Sequence, residues 1–174
     1  MPRAPVFLCL IVSLALAGCG FQLRGASNVP EAVQPLALQC ETPIPDRLCR
    51  AIKNQLELGS VRIADADSAK AVLRLSEFRQ ERRANAVTAR AAAAEYTLRQ
   101  SVGVEVISAD QTPLLATERV TSAETYRYDE TNVLAKQREE DTLQDQLAER
   151  LAQQILFRLA PLNQTRLDSL EAAE

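Results

Sequence analysis

From Tyr96 to Val106 the chain alternates with a period of two. Tyr96, Leu98, Val102, Val104 and Val106 fall on one side, interrupted by Gln100, and Glu95, Thr97, Arg99, Ser101 and Glu105 fall on the other. Only an extended strand separates its side chains in this way. A strand that is apolar on one side needs a cover on that side and tolerates water on the other, which is the habit of an antiparallel sheet. Three further segments read as strands: Gln34 to Cys40 around Leu36 and Leu38, Ala71 to Arg83 around Leu73 and Leu75, and Leu115 to Tyr128. Val61 and Ile63 make a brief extended piece.

Two segments carry a helical period instead. Leu48, Ile52 and Leu56 recur every four residues between Arg47 and Leu58, and Gly59 is expected to end that helix in a left-handed conformation. Leu143, Leu147, Leu151, Ile155 and Leu159 form a longer stripe with Ala148 and Ala152 beside it, and Pro161 stops it. The alanine-rich residues 84–94 lack an amphipathic pattern and are expected to be the loop of a long hairpin, and 108–113 is a turn. The expected fold is α+β, in the order β-α-β-β-β-α: a two-layer sandwich with two helices on one face of a four-stranded sheet. The charged end of the second strand, Arg79 to Arg83, is expected to project beyond the helices.

The first eighteen residues read as an address. A positive start at Arg3 precedes an apolar run from Val6 to Ala17, too short to span a bilayer, and Leu16-Ala17-Gly18-Cys19 follows. Small residues before the cut fit a peptidase groove, and a cysteine directly after it offers a thiol to a lipid. Residues 1–18 are therefore expected to be a lipoprotein signal peptide, with cleavage before Cys19 and acylation on its thiol and amine. The bland alternative is a secreted protein with a free N-terminal cysteine. Gly20 stands where aspartate favours inner-membrane retention, so the periplasmic face of an outer membrane is the expected location. Residues 19–32 then form a lipidated leader, 33–161 one domain, and 162–174 a loose tail.

Cys9 leaves with the signal and Cys19 is assigned to lipid, so Cys40 and Cys49 remain. In an oxidising compartment they are expected to form a disulfide, two free thiols being the alternative. The chain has no histidine, hence neither the commonest general base nor the commonest metal ligand. It has no GxSxG, Walker A or GxGxxG pattern, and only five glycines. Neither an enzyme, nor a metal site, nor a cofactor beyond the acyl groups is expected. Charge is unevenly spread: residues 70–100 carry seven basic and three acidic side chains, while 101–174 carry seven basic and fourteen acidic. A basic middle suggests an anionic partner there, and an acidic tail a solvated helix face.

Cys19-Gly20-Phe21-Gln22-Leu23-Arg24-Gly25 resembles the CGFxLRG start of the LPS-assembly lipoprotein family, LptE (RlpB-like). Leu48-Cys49-Arg50-Ala51-Ile52-Lys53-Asn54-Gln55-Leu56, Ala94-Glu95-Tyr96 and Leu134-Ala135-Lys136 follow in the order that the family shows. The resemblance implies two helices on a four-stranded sheet, in agreement with the residue-level reading. It implies a plug in the lumen of the outer-membrane β-barrel LptD, one copy of each, with lipopolysaccharide as ligand. No nucleic-acid partner is implied. The alternative is a scaffold lipoprotein of another envelope machine.

By the same resemblance, the basic ligands lie before Ala94-Glu95-Tyr96 and within Leu-Ala-Lys. Lys136 matches the second position. Arg90 is the basic residue left in the first, where alanines replace the more polar loop of relatives, and Arg82 and Arg83 are the nearby substitutes. Lipid A is polyanionic, so guanidinium and ammonium groups suit it. The bland readings stand beside these. Lys136 can be an ordinary solvated lysine, and Arg79, Arg82 and Arg83 can blunt a sheet edge. Tyr96, Tyr126 and Tyr128 are expected to pack rather than to form a binding cage.

Overall fold

The computed structural model describes residues 29–87, 93–128 and 132–171. Four strands, β1 (Leu36–Cys40), β2 (Ala71–Val87), β3 (Ala93–Ser108) and β4 (Pro113–Arg127), form one sheet in the order β1-β2-β3-β4. Three helices accompany it: α1 (Asp46–Leu58), α2 (Val133–Leu159) and α3 (Gln164–Glu171). The fold is α+β, with a mixed sheet. β1 runs parallel to β2, and the other two pairs are antiparallel. A parallel pair needs a crossover long enough to carry the chain back, and α1 provides it.

The inner sheet face carries Leu36, Leu73, Leu75, Val102, Val104, Val106 and Val120. Leu48, Ile52 and Leu56 of α1 and Leu151, Ile155 and Leu159 of α2 close over it, all of them fully buried. Each such side chain contributes roughly 1.5–3 kcal/mol by leaving water. Ala51, Ala148 and Ala152 keep the two helices close, and Arg47 of α1 reaches Asp145 of α2 at 3.3 Å. Gln100, the interruption in the apolar alternation, is buried among the valines. Its Nε2 donates to Gln80 Oε1 at 2.9 Å.

One irregularity decides the faces of β2. Between Ser76, opposite Gly103, and Arg79, opposite Ser101, β2 spends one residue more than β3. Glu77 sits in this bulge with φ 48°, held by the Arg119 guanidinium of β4 through its side chain and through its carbonyl oxygen at 3.4 Å. Gly103 faces the bulge with no room to spare: a Cβ there would stand 2.8 Å from Ser76 Oγ and 3.2 Å from its carbonyl oxygen. Before the bulge the odd-numbered Leu73 and Leu75 face the helices. After it the even-numbered Phe78, Gln80, Arg82 and Ala84 lie on that face, with Arg82 paired to Leu98 and Ala84 to Tyr96.

Several expectations are corrected. Residues 84–94 are not wholly a loop: β2 runs on to Val87 and β3 begins at Ala93, because the alanines fit a narrow antiparallel pair as readily as a helix. Residues 162–174 are not a loose tail throughout: Leu162 is buried and Leu167 of α3 packs on the core. The domain also starts before residue 33, since Val29 is buried and Glu31–Val33 makes a 3-10 turn. Gly59 has φ −78°, and the left-handed residue after α1 is Ser60, at φ 56°.

Cys40, at the end of β1, and Cys49, in the first turns of α1, form a disulfide with Cα atoms 6.5 Å apart. Replacing both with alanine is expected to lower unfolding stability by about 2–3 kcal/mol, from the loop entropy that this cross-link removes from the unfolded chain. The check is the denaturant midpoint, and reductant should produce the same drop in the parent protein and none in the double variant.

Candidate functional site

Period-two geometry forbids Arg82 and Arg83 from serving one ligand on one face, because neighbours on a strand point to opposite sides. The bulge puts Arg82 on the helix side, near the far end of the hairpin. Its guanidinium carbon lies 3.8 Å from the centroid of the Tyr96 ring and 5.4 Å from that of Tyr128, and Nη1 is 3.6 Å from Glu140 Oε2 of α2. A guanidinium stacked on aromatic faces and facing a carboxylate is already neutralised and positioned. Arg82 is therefore a structural clamp here rather than a free cation, and at Arg82 the strand packs against α2 instead of projecting beyond the helices as expected.

Glu140 also accepts from the Tyr126 hydroxyl at 2.7 Å. Tyr96 stacks on Tyr126 and meets Tyr128 edge to face, while Leu98 and Leu147 are buried beneath them. The tyrosines pack, as expected. Burial, then the hydrogen bond to Glu140 and its charge, push the Tyr126 hydroxyl well above its ordinary pKa of 10.0. A phenol whose folded pKa is raised stabilises the fold below pH 10 and loses that contribution as pH climbs through the folded value. Ultraviolet titration of the three tyrosines should show one ionising last, and Glu140→Gln should bring it earlier.

Lys136, in the first turn of α2, is bound to Glu139 at 2.6 Å with its side chain 19% exposed. The two cations assigned to the helix side, Arg82 and Lys136, thus have neighbouring carboxylates of α2 as partners. Arg90 and Cys19 lie outside the described residues. Arg83 is on the opposite, helix-free face, where it lines a shallow depression with Glu81, Asn85, Thr97 and Arg99. Arg99 was visible in the sequence as a polar-face residue of β3, but its nearness to Arg83 depends on the strand register, which the sequence did not reveal.

A family model described as "LptE: Lipopolysaccharide-assembly" matches residues 32–159. The chain belongs to the LptE family. A relative from Pectobacterium atrosepticum named LPS-assembly lipoprotein LptE is 31% identical over 161 residues, covering 88% of this chain and 85% of the relative. One of the same name from Yersinia enterocolitica is 32% identical over 159 residues, covering 87% of this chain and 74% of the relative. Among solved structures, the rare lipoprotein B of Shewanella oneidensis superimposes with a TM-score of 0.63 at 26% identity, covering 76% of this chain and 96% of that one. The LptE fold is thus shared over most of the chain.

Proposed function

We propose that this LptE-family chain is a lipopolysaccharide-assembly lipoprotein without catalytic activity. In this reading Cys19 carries a diacylglycerol thioether and an N-acyl chain, and these hold the domain to the periplasmic face of the outer membrane. More than one acyl chain is needed for firm attachment, and a triacylated cysteine supplies that. The domain plugs an LptD-type β-barrel, one copy to one, assists its assembly, and contacts lipopolysaccharide during insertion into the outer leaflet.

The observation that carries the reading is the family match over residues 32–159, supported by relatives of that name aligned over most of the chain. The charge layout agrees with it, since the basic segment 70–100 is the hairpin that a polyanionic lipid would meet. The test is purification of the tagged full-length protein from outer membranes in mild detergent. The expected result is an equimolar large β-barrel and an N-terminal peptide mass raised by the acyl groups. Recovery without a barrel, or with an unmodified Cys19, would overturn the plug or the anchor respectively.

A further inference from the structure

Among the described residues, the helix-free face of the sheet has an apolar cover near β1, where Ala64 and Ala69 pack on Ala37, Val72 and Ile107. Beyond that cover it carries guanidinium, carboxylate and hydroxyl side chains. The cations there fall into two classes. Arg74 is bound to Glu105 at 2.7 Å, and Arg119 to Glu77. Farther along, Arg79, Arg83 and Arg99 share the same face, and among the described residues no carboxylate lies within the 4.0 Å of an ion pair to any of them. Glu81 is the one acid placed between them: it pairs with Arg99 across the strands and sits two positions from both Arg79 and Arg83.

Arg83 and Arg99 line one depression of about 220 Å³ together with Glu81, Asn85 and Thr97. Asn85 Nδ2 donates to Thr97 Oγ1, which is 2.8 Å from Thr125 Oγ1, so the amide and the hydroxyl that line the depression are held in one hydrogen-bonded chain with a neighbour on β4. Three guanidiniums against one carboxylate leave a surplus of about two positive charges, which a phosphate monoester of roughly −1.5 to −2 would balance. Guanidinium forks bind phosphoryl oxygens through paired, charge-assisted hydrogen bonds.

We propose that this depression is a phosphoryl-binding site for an anionic glycolipid, with Arg83 and Arg99 as the direct donors and Arg79 as a supporting charge. It rests on the lipopolysaccharide reading above and gives that reading a place on the molecule, opposite the clamped Arg82. Glu81 is a built-in competitor: it holds the cations loosely when the site is empty and weakens retention when it is filled. A ligand in transit needs such a site, because it has to leave as well as arrive.

The experiment titrates the full-length mature protein, in detergent, with three probes: mixed micelles carrying a bis-phosphorylated glycolipid, mixed micelles carrying its dephosphorylated counterpart, and inorganic phosphate. Binding is expected to the first and not to the second, and to fall at least about tenfold in the double variant Arg83→Glu, Arg99→Glu. Glu81→Gln is expected to strengthen it about threefold, a gain that damage to the fold cannot mimic. Displacement by inorganic phosphate would show that the phosphoryl group alone is read, and its absence would assign recognition to the whole headgroup; either outcome supports the site. Equal binding of both micelle types, or unchanged affinity in the double variant together with no gain in Glu81→Gln, would overturn it. Barrel co-purification, measured on the same variants, separates loss of this site from loss of the plug role.

Discussion

Gly103→Val is expected to cost about 1–3 kcal/mol, whereas deletion of Glu77 is expected to leave the faces of the β2–β3 hairpin as they are. A Cβ at Gly103 would stand 2.8 Å from Ser76 Oγ and 3.2 Å from the Ser76 carbonyl oxygen, so the bulge has to be forced off β3 to admit a side chain. Overpacking of this kind typically costs about 1–3 kcal/mol, and it should appear in hydrogen exchange as weaker protection around Ser76 and Gly103. Deleting Glu77 acts differently. Phe78 then falls opposite Val102, between the pairs Ser76–Gly103 and Arg79–Ser101, so the alternation runs through unbroken and Leu75, Phe78, Gln80 and Arg82 stay on the helix side. The deletion gives up an exposed ion pair with Arg119, as Glu77→Gly does, and glycine also tolerates the positive φ of 48°. Unchanged stability of Gly103→Val would show that the bulge does not press on Gly103.

Leu151→Ala is the second large effect. Leu151 is fully buried on α2, in the core cluster that α1 and the sheet valines complete. The expected cost is about 3–4 kcal/mol, within the range for buried leucines. Leu134→Ala on the same helix should cost less than about 0.5 kcal/mol, because Leu134 is 74% exposed. Chemical denaturation of both variants would decide. A loss under about 1 kcal/mol for Leu151→Ala would mean that α2 is not the main lid of the core.

These two sites also mark what could be read in the sequence. The four strands, the two long helices and the α2 stripe were legible because burial on one side imposes a period, and the period is written in residue type. The stripe was legible at Leu151, while Leu143, which also lies on it, turned out to be half buried against the tyrosines. The bulge was not legible: a single inserted residue leaves no compositional mark, and Arg79 to Arg83 looked merely too charged to bury. The third helix was obscured by its length. Eight residues, with Leu167 the core contact among the described side chains, give too few turns for a pattern. Among the candidate ligands, the family resemblance suggested Arg82, Arg83 and Lys136 alike. Only the pairing of strands and the carboxylates of α2 separate the clamped Arg82 and Lys136 from Arg83, and bring Arg99 to its side.

The pole at which the described chain enters has a geometric consequence. Val29 is tied to Gln34, Leu36 pairs with Ala71, and Ala71 with Ser108, so entry lies level with the end of β3. Arg99 is nine residues up that strand, about 30 Å away at ~3.4 Å per residue. A domain held by its N-terminal segment would behave as a lever with its fulcrum at one end. A tilt of ~20° about that point would sweep the Arg83–Arg99 region through roughly 10 Å, so small rotations at the base become large excursions at the tip.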